Sequence, residues 1–219
     1  MGRRIVIYGT GGHGREIAWM VQKSAAGGSG DMLLGFVDDS PAAIGTAVNG
    51  VSVFSLDQIA AEHRDAELVC AVGNPRVREK LARRCEDRSL RFATLVYAGA
   101  VISPAVSLGE GSILCEGAVT TTDIRIGRHV HINVGCTVSH DVVIGDFASL
   151  NPGAHINGWV HIGPRAYIGA GAVIRDGRPG EPLTIGEDAV VGAGACVVRA
   201  VMPGATVAGV PAMPLECRL

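Results

Sequence analysis

The sequence predicts two units of different grammar: a parallel, three-layer α/β domain over residues 1–98, then a parallel β-helix over residues 99–219. Apolar runs of strand length alternate with helical patterns only in the first of these stretches. From Ile102 an aliphatic residue recurs at every sixth position. No amphipathic helix can use that period, because a helix face repeats at three and four residues. Composition points the same way. Glycine accounts for 31 of 219 residues, about twice its usual share of roughly 7%, while aromatics make up only 4% and charged residues 18%.

These values exclude several classes. Glycine is too sparse and aperiodic for collagen, and a 47% hydrophobic chain is too apolar for disorder. A net charge of −2 and a pI of about 6.4 argue against nucleic acid or an acidic membrane surface as partner. The longest stretches without Asp, Glu, Lys or Arg, Phe92–Gly109 and Phe147–Pro164, are broken by Pro, Gly and polar residues, so no membrane insertion is expected. Arg3 and Arg4 precede an apolar run of only Ile5–Tyr8, too short for a secretion signal. Cys70, Cys85, Cys115, Cys136, Cys196 and Cys217 are scattered without a C-x-x-C pair, which suggests reduced, buried thiols in a cytoplasmic protein.

In the α/β half, Arg4–Tyr8 is predicted as a buried strand running into Gly9-Thr10-Gly11-Gly12-His13-Gly14. Arg15 to Lys23 follows as a helix with Ile17, Ala18 and Val21 on one face. After a Gly/Ser loop, Leu33–Val37 is a second strand ending at Asp38-Asp39, and Val53-Phe54 is a short third. Leu56, Ile59 and Ala60 place a short helix from Asp57 to about His63. Leu68–Val72 is a strand ending in Gly73-Asn74-Pro75, Arg76 to Cys85 a helix, and Phe92–Val96 a last strand.

The hexads run from Ile102 through Leu108, Leu114 and Thr120, and on to Ile168 and Ile174, with Thr120 the one non-aliphatic member. Four positions on comes a smaller residue, from Val106 and Ser112 to Ala166 and Ala172, broken only by Ile124. Such hexads are the signature of a parallel β-helix. Each gives a short strand and a corner, three close a triangular coil, and coils stack at about 4.8 Å. Residues 102–173 give four coils and 185–202 a fifth, separated by a polar Pro/Gly loop at 175–184. The flat faces of such a prism favour oligomerisation.

Four segments carry a family resemblance: Tyr8-Gly-Thr-Gly-Gly-His-Gly14, Gly35-Phe-Val-Asp-Asp39, Ile132-Asn-Val-Gly-Cys-Thr-Val-Ser-His-Asp-Val-Val-Ile-Gly-Asp146 and Gly209-Val-Pro-Ala212. Through them the chain resembles the hexapeptide-repeat acyltransferases, in the nucleotide-sugar branch typified by PglD, GDP-perosamine N-acetyltransferase and NeuD. The resemblance implies a Rossmann-like nucleotide-sugar-binding domain followed by a left-handed β-helix. It also implies a homotrimer with its active site between protomers, acetyl-CoA as co-substrate and no metal. The activity it implies is N-acetylation of a nucleotide-linked amino-deoxysugar. O-acetylation of a sialic-acid-type hydroxyl and a non-catalytic sugar-nucleotide-binding assembly are the alternatives.

His140 is the candidate general base. Imidazole as a group can take the proton that an attacking amine or hydroxyl must lose. The resemblance puts the base on this histidine and an orienting acid on Asp141. It further implies cofactor contacts at Asn133, Gly158 and Ala170, and places Ser149 where some relatives carry a second histidine. Gly158, 18 residues past His140, should stack on it and could offer a backbone N–H to an oxyanion. Cys136, at a small interior position, reads as an inert thiol rather than a nucleophile.

The turn at 9–14 fits G-x-G-x-x-G between strand and helix. A nicotinamide reading would use Asp38 or Asp39 as a ribose ligand. The resemblance instead gives Gly11, Gly12, His13, Asp38 and Asp39 to a nucleotide-sugar. His129, His131, His155 and His161 invite a metal reading, but no third ligand stacks beside His129 and His131. Those two flank the inward Val130 and should point outward, so they and His161 read as surface or interface residues. The 175–184 loop is either a cover for the pantetheine channel or a tolerated surface insertion.

Overall fold

The computed structural model describes residues 2–215, so Cys217 lies outside the described residues. Contacts divide the chain into two units, one ending at Tyr97 and one starting at Ala98. Among the described residues no helix is long and apolar enough to cross a membrane.

In the first unit, β1 (Arg4–Tyr8) is apolar along its length because it is the inner strand of a parallel sheet, with Ile5, Val6 and Ile7 fully buried. β2 (Met32–Val37) pairs with one side of it and β5 (Glu67–Cys70) with the other. β4 (Val51–Phe54) lies beyond β2, and β3 (Ala47–Val48) folds onto β4 antiparallel. The hairpin turn is Asn49-Gly50, both with positive φ (51° and 76°), the pairing that matches strand twist in a two-residue loop. β6 (Arg91–Phe92) extends the sheet beyond β5. The predicted strand Phe92–Val96 is thus two pieces, β6 and a separate β7 (Leu95–Val96).

Three helices complete this unit. α1 (Gly12–Ala26) starts earlier and ends later than the apolar pattern implies, because the glycine turn itself enters the helix. It packs on β1 and β2, burying Ile17, Ala18, Met20 and Val21. α2 (Leu56–Glu62) starts with a capping box in which the Ser55 hydroxyl accepts from Gln58 N and the Gln58 side chain accepts from Ser55 N. α3 (Pro75–Glu86) is capped by Asn74, which accepts from Arg76 N and Val77 N, with Pro75 at the first helical position. The strand order 3-4-2-1-5-6 reverses direction between β1 and β5. A doubly wound sheet opens its ligand crevice at that reversal, outside the carboxyl ends of the strands.

The second unit is a three-faced coil of parallel strands, each two or three residues long. Face one carries 101–102, 119–120, 137–138, 155–156, 173–174 and 196–197. Face two carries 106–108, 124–126, 143–144, 160–162 and 183–185. Face three carries 113–114, 131–132, 149–150, 167–168, 190–191 and 206–208, closed by antiparallel Met213–Pro214. Neighbouring coils pair without slippage, as in Val119↔Thr137 and Thr137↔His155. The sixfold aliphatics Leu114, Ile132, Leu150 and Ile168 and the small series Val130, Ala148 and Ala166 fill one continuous core. Thr120, the one polar member of the aliphatic series, is buried and donates its hydroxyl to Val101 O.

From Gly111 to Gly171 one residue per hexad turns the corner with a left-handed backbone. Gly111, Gly117, Asp123, His129, Gly135, Asp141, Phe147, Gly153, Trp159, Arg165 and Gly171 all have φ between 53° and 74°. Asp188 and Gly194 resume the series after the insertion. On the edge between faces three and one all five left-handed corner residues are glycine; on the other two edges most are larger residues, with Gly111 and Gly204 the exceptions.

This geometry corrects the outward reading of His129 and His131, both of which are buried. His129 occupies a left-handed corner, so its ring lies over the next coil and stacks on Phe147 (centroids 4.9 Å apart, 8° between planes). His131 stands between Ile113 and Ser149 in a buried stretch of face three.

Two substitutions separate core filling from corner strain. Leu150→Ala empties a fully buried site and should destabilise the β-helix by about 2–5 kcal/mol in urea unfolding. At Gly153 an added Cβ would meet nothing closer than 3.9 Å, so Gly153→Ala should cost only the left-handed backbone penalty, roughly 1–2 kcal/mol, and Gly153→Asn less. A loss at Gly153→Ala as large as at Leu150→Ala would contradict the corner argument.

Candidate active site

At the carboxyl edge of the first unit, two strand-to-helix turns flank the reversal in strand order: residues 9–14 after β1 and 71–75 after β5. Gly14 is buried, and a Cβ there would lie 1.9 Å from Gly9 O, so only glycine lets α1 start this close to β1. Gly11 and Gly12 are exposed with nothing within 4 Å of a Cβ, leaving the turn open on one side. His13 lies 3.5 Å from Glu16, and burial pushes its imidazole below the ordinary value, with Arg78 pushing the same way against Glu16.

Arg78 was not singled out by sequence pattern. It is fully buried and donates to Val72 O at 2.8 Å, which holds the second turn. A buried arginine on an otherwise amphipathic helix was the available signal.

Asp38 and Asp39 serve different partners. Asp38 accepts from the Thr10 hydroxyl and from Ser40 N, tying the glycine turn to the end of β2. Asp39 accepts both guanidinium N–H groups of Arg84, at 2.5 and 2.8 Å, and the Tyr8 hydroxyl at 2.8 Å. Arg84, helped by Tyr8, holds the Asp39 carboxyl below the usual carboxylate range.

In the second unit, His140 lies on the edge between faces one and two, half-exposed, with Nδ1 2.9 Å from Asp141 Oδ2. Asp141 is the left-handed corner residue (φ 58°), and that backbone turn brings its carboxylate back to the preceding ring. A neutral His140 that donates from Nδ1 to Asp141 presents its Nε2 lone pair. Beneath the ring lies Gly158, one coil on: a Cβ there would sit 2.5 Å from His140 Cε1 and 2.8 Å from Nε2. Trp159 N donates to His140 O, and its indole meets the imidazole edge-on at 6.2 Å. Sequence reading missed Trp159, which adjoins His140 only across coils.

The remaining predicted positions do not converge on His140 within one chain. Asn133 and the exposed Ala170 lie on the edge between faces three and one, two coils apart, with face one between them and His140. Ser149 is buried on face three. His155 is exposed on face one, its Nδ1 2.8 Å from Thr137 Oγ1. Cys136 is buried in the core, its thiol contacts Asn151 O, and burial pushes it up to about 11, against a nucleophilic role. Among the described residues no group of three or more His, Cys, Asp or Glu is placed to hold a metal ion.

Comparison with known proteins matches residues 4–85 to the PglD N-terminal domain and residues 141–176 to the bacterial transferase hexapeptide (six repeats). Among solved structures, WeeI from Acinetobacter baumannii AYE is 38% identical, with a TM-score of 0.89 over 97% of this chain and 100% of that one. PerB from Caulobacter crescentus, solved with CoA and GDP-perosamine, is 33% identical, with a TM-score of 0.85 over 99% and 98%. The acetyltransferase domain of PglB from Neisseria gonorrhoeae FA1090, solved with acetyl coenzyme A, is 31% identical, with a TM-score of 0.85 over 98% and 100%. No curated protein gives a significant match to the sequence. An α/β unit matched by the PglD N-terminal domain, joined to a hexapeptide coil and aligned end to end with these enzymes, makes the chain an acyltransferase that belongs to the left-handed β-helix, hexapeptide-repeat sugar acetyltransferases.

Proposed function

We propose that the protein transfers an acetyl group from acetyl-CoA to the amino group of a nucleotide-linked 4-amino-4,6-dideoxysugar, with His140 as general base. The observation that carries this is the half-exposed His140–Asp141 pair set directly over Gly158. Support for the two substrates comes from relatives solved with acetyl-CoA and with CoA plus GDP-perosamine. The nucleotide diphosphate lies against the open Gly11-Gly12 turn, beside His13, whose imidazole burial pushes below its ordinary value.

The amine attacks the thioester carbonyl as His140 Nε2 takes its proton. The C–N bond forms and the carbonyl oxygen becomes an oxyanion. The Gly158 N–H, which has no acceptor among the described residues, donates to that oxyanion. Collapse breaks the C–S bond, and the imidazolium, stabilised by Asp141, returns the proton to the departing CoA thiolate. Atoms and charge balance without a covalent enzyme intermediate.

The edge carrying Asn133 and Ala170 cannot reach His140 across face one, so a neighbouring protomer of a homotrimer supplies it.

His140→Ala should lower kcat by about 10²–10⁴-fold with the fold intact by circular dichroism. Asp141→Asn should lower it roughly tenfold, the scale of one hydrogen bond to a charged group. Gly158→Ala should lower kcat without unfolding, because the methyl group displaces the imidazole. Mass spectrometry of acetyl-CoA reactions with a panel of nucleotide-linked amino and hydroxy sugars tests the acceptor. Full activity in His140→Ala, or acetylation of hydroxyls alone, would overturn the proposal.

A further inference from the structure

A base at His140 needs its ring held in one orientation, and the hydrogen bond to Asp141 is too exposed to do that alone. Half a turn about χ2 exchanges Nδ1 with Cδ2 and Nε2 with Cε1, and imidazole meets only a broad, two-fold torsional profile there. In one orientation Nδ1–H faces Asp141 and Nε2 is left for the acceptor. In the other, a C–H faces the carboxylate. The two side chains are 52% and 33% exposed, and a contact so open to water holds its partners weakly. Among the described residues it is the only hydrogen bond of the ring.

Two residues of the next coil supply the remaining constraint. Gly158 lies beneath the ring, where a Cβ would come within 2.5 Å of Cε1. It makes room and offers no side chain. Trp159 stands beside the ring, its indole at 79° to the imidazole and the centroids 6.2 Å apart, within the range of an edge-to-face pair. The indole is therefore at this corner for what it touches. Trp159 has φ 58°, a conformation that glycine or asparagine adopts more readily than a bulky residue. The core beside it is filled by Val160 and Ile162, so packing there needs no ring.

The 175–184 insertion fixes the same corner. Trp159 N donates to His140 O at 3.2 Å, and Trp159 O accepts from Leu183 N at 2.9 Å. Gly158 O accepts from Gly177 N, also at 2.9 Å. The two ends of the insertion thus hold the peptide groups on either side of Trp159. A Cβ on Gly177 would lie 2.2 Å from Trp159 O, so the approach requires glycine. Between those ends Arg178 and Glu181 exchange both backbone hydrogen bonds at 3.0 Å, which closes the insertion into a hairpin around Pro179-Gly180.

We propose that Trp159 is a positioning residue for acetyl transfer: its indole, held by the two ends of the 175–184 insertion, keeps the His140 imidazole with Nδ1 on Asp141 and Nε2 turned to the acceptor. This rests on the general-base reading of His140 and adds the residue that orients the base. The insertion then acts on the reaction through the backbone of Trp159.

Trp159→Asn removes the ring but leaves a residue suited to a left-handed corner, so circular dichroism should show the fold kept. Trp159→Phe retains an aromatic edge. Nitrogen-15 NMR of the histidine-labelled full chain, with the His140 signals assigned by their loss in His140→Ala, reads the ring directly and needs no substrate. In the wild type, neutral His140 should be the Nδ1–H tautomer. In Trp159→Asn it should become a mixture, because a ring turned from Asp141 loses the acceptor that selects that tautomer. With acetyl-CoA and the acceptor identified by the sugar panel, kcat of Trp159→Asn should fall roughly 3–10-fold, the scale of one edge-to-face aromatic contact, with both KM values unchanged. Trp159→Phe should restore most of kcat and the wild-type tautomer. A wild-type tautomer in Trp159→Asn overturns the proposal. So does a raised KM at unchanged kcat, which makes the indole a substrate contact, or a Trp159→Phe as impaired as Trp159→Asn. Full activity in His140→Ala removes the general-base reading and this proposal with it. An inactive His140→Ala beside a Trp159→Asn of wild-type kcat removes this proposal alone.

Discussion

From Gly111 to Gly171 one residue in every hexad of the second unit holds a left-handed backbone, and the rest of that unit depends on it. The turn redirects the chain by one prism face while keeping the aliphatic inward and the ladder bonds to the next coil in register. Where the corner residue is not glycine, a side chain accepts a backbone conformation worth roughly 1–2 kcal/mol of strain. Coil-to-coil hydrogen bonding and the continuous aliphatic core over-determine that conformation.

The strain is also what builds the His140–Asp141 pair. Asp141 is a corner residue, and its φ of 58° brings its carboxylate to within 2.9 Å of His140 Nδ1. In an extended strand, adjacent side chains would point to opposite sides and could not meet. At the next corner Trp159, also left-handed, places its ring against the imidazole. Carboxylate, imidazole and indole thus come from the repeat that makes the fold, with Gly158 leaving space for the imidazole.

The first unit solves a different problem with the same residue type. Gly14 lets α1 start against the end of β1, and Asp38 and Asp39 are used to brace that turn through Thr10, Tyr8 and Arg84. Both acids have partners, which weakens the nicotinamide reading that would spend one of them on a ribose. The buried Arg78 holds the second turn from below. The charged residues that brace the two turns are already engaged with one another, while Gly11 and Gly12 stand exposed with open space beside them.

The sequence by itself determined the fold class and the segments from which the proposed site is built, because both are written in short-range order. Hexad spacing is local, the glycine turn lies between a strand and a helix, and His140 and Asp141 are adjacent. It could not show that His129 and His131 are buried, because the corner conformation that turns His129 onto Phe147 is invisible in an alternating inward–outward count. The resumed hexads at Ile185, Val191 and Val197, five residues late, did set Ile174 against Val197, and the structure pairs them. Only tertiary structure decides which residues share an edge, since stacking is set by ladder hydrogen bonds between coils and not by distance along the chain.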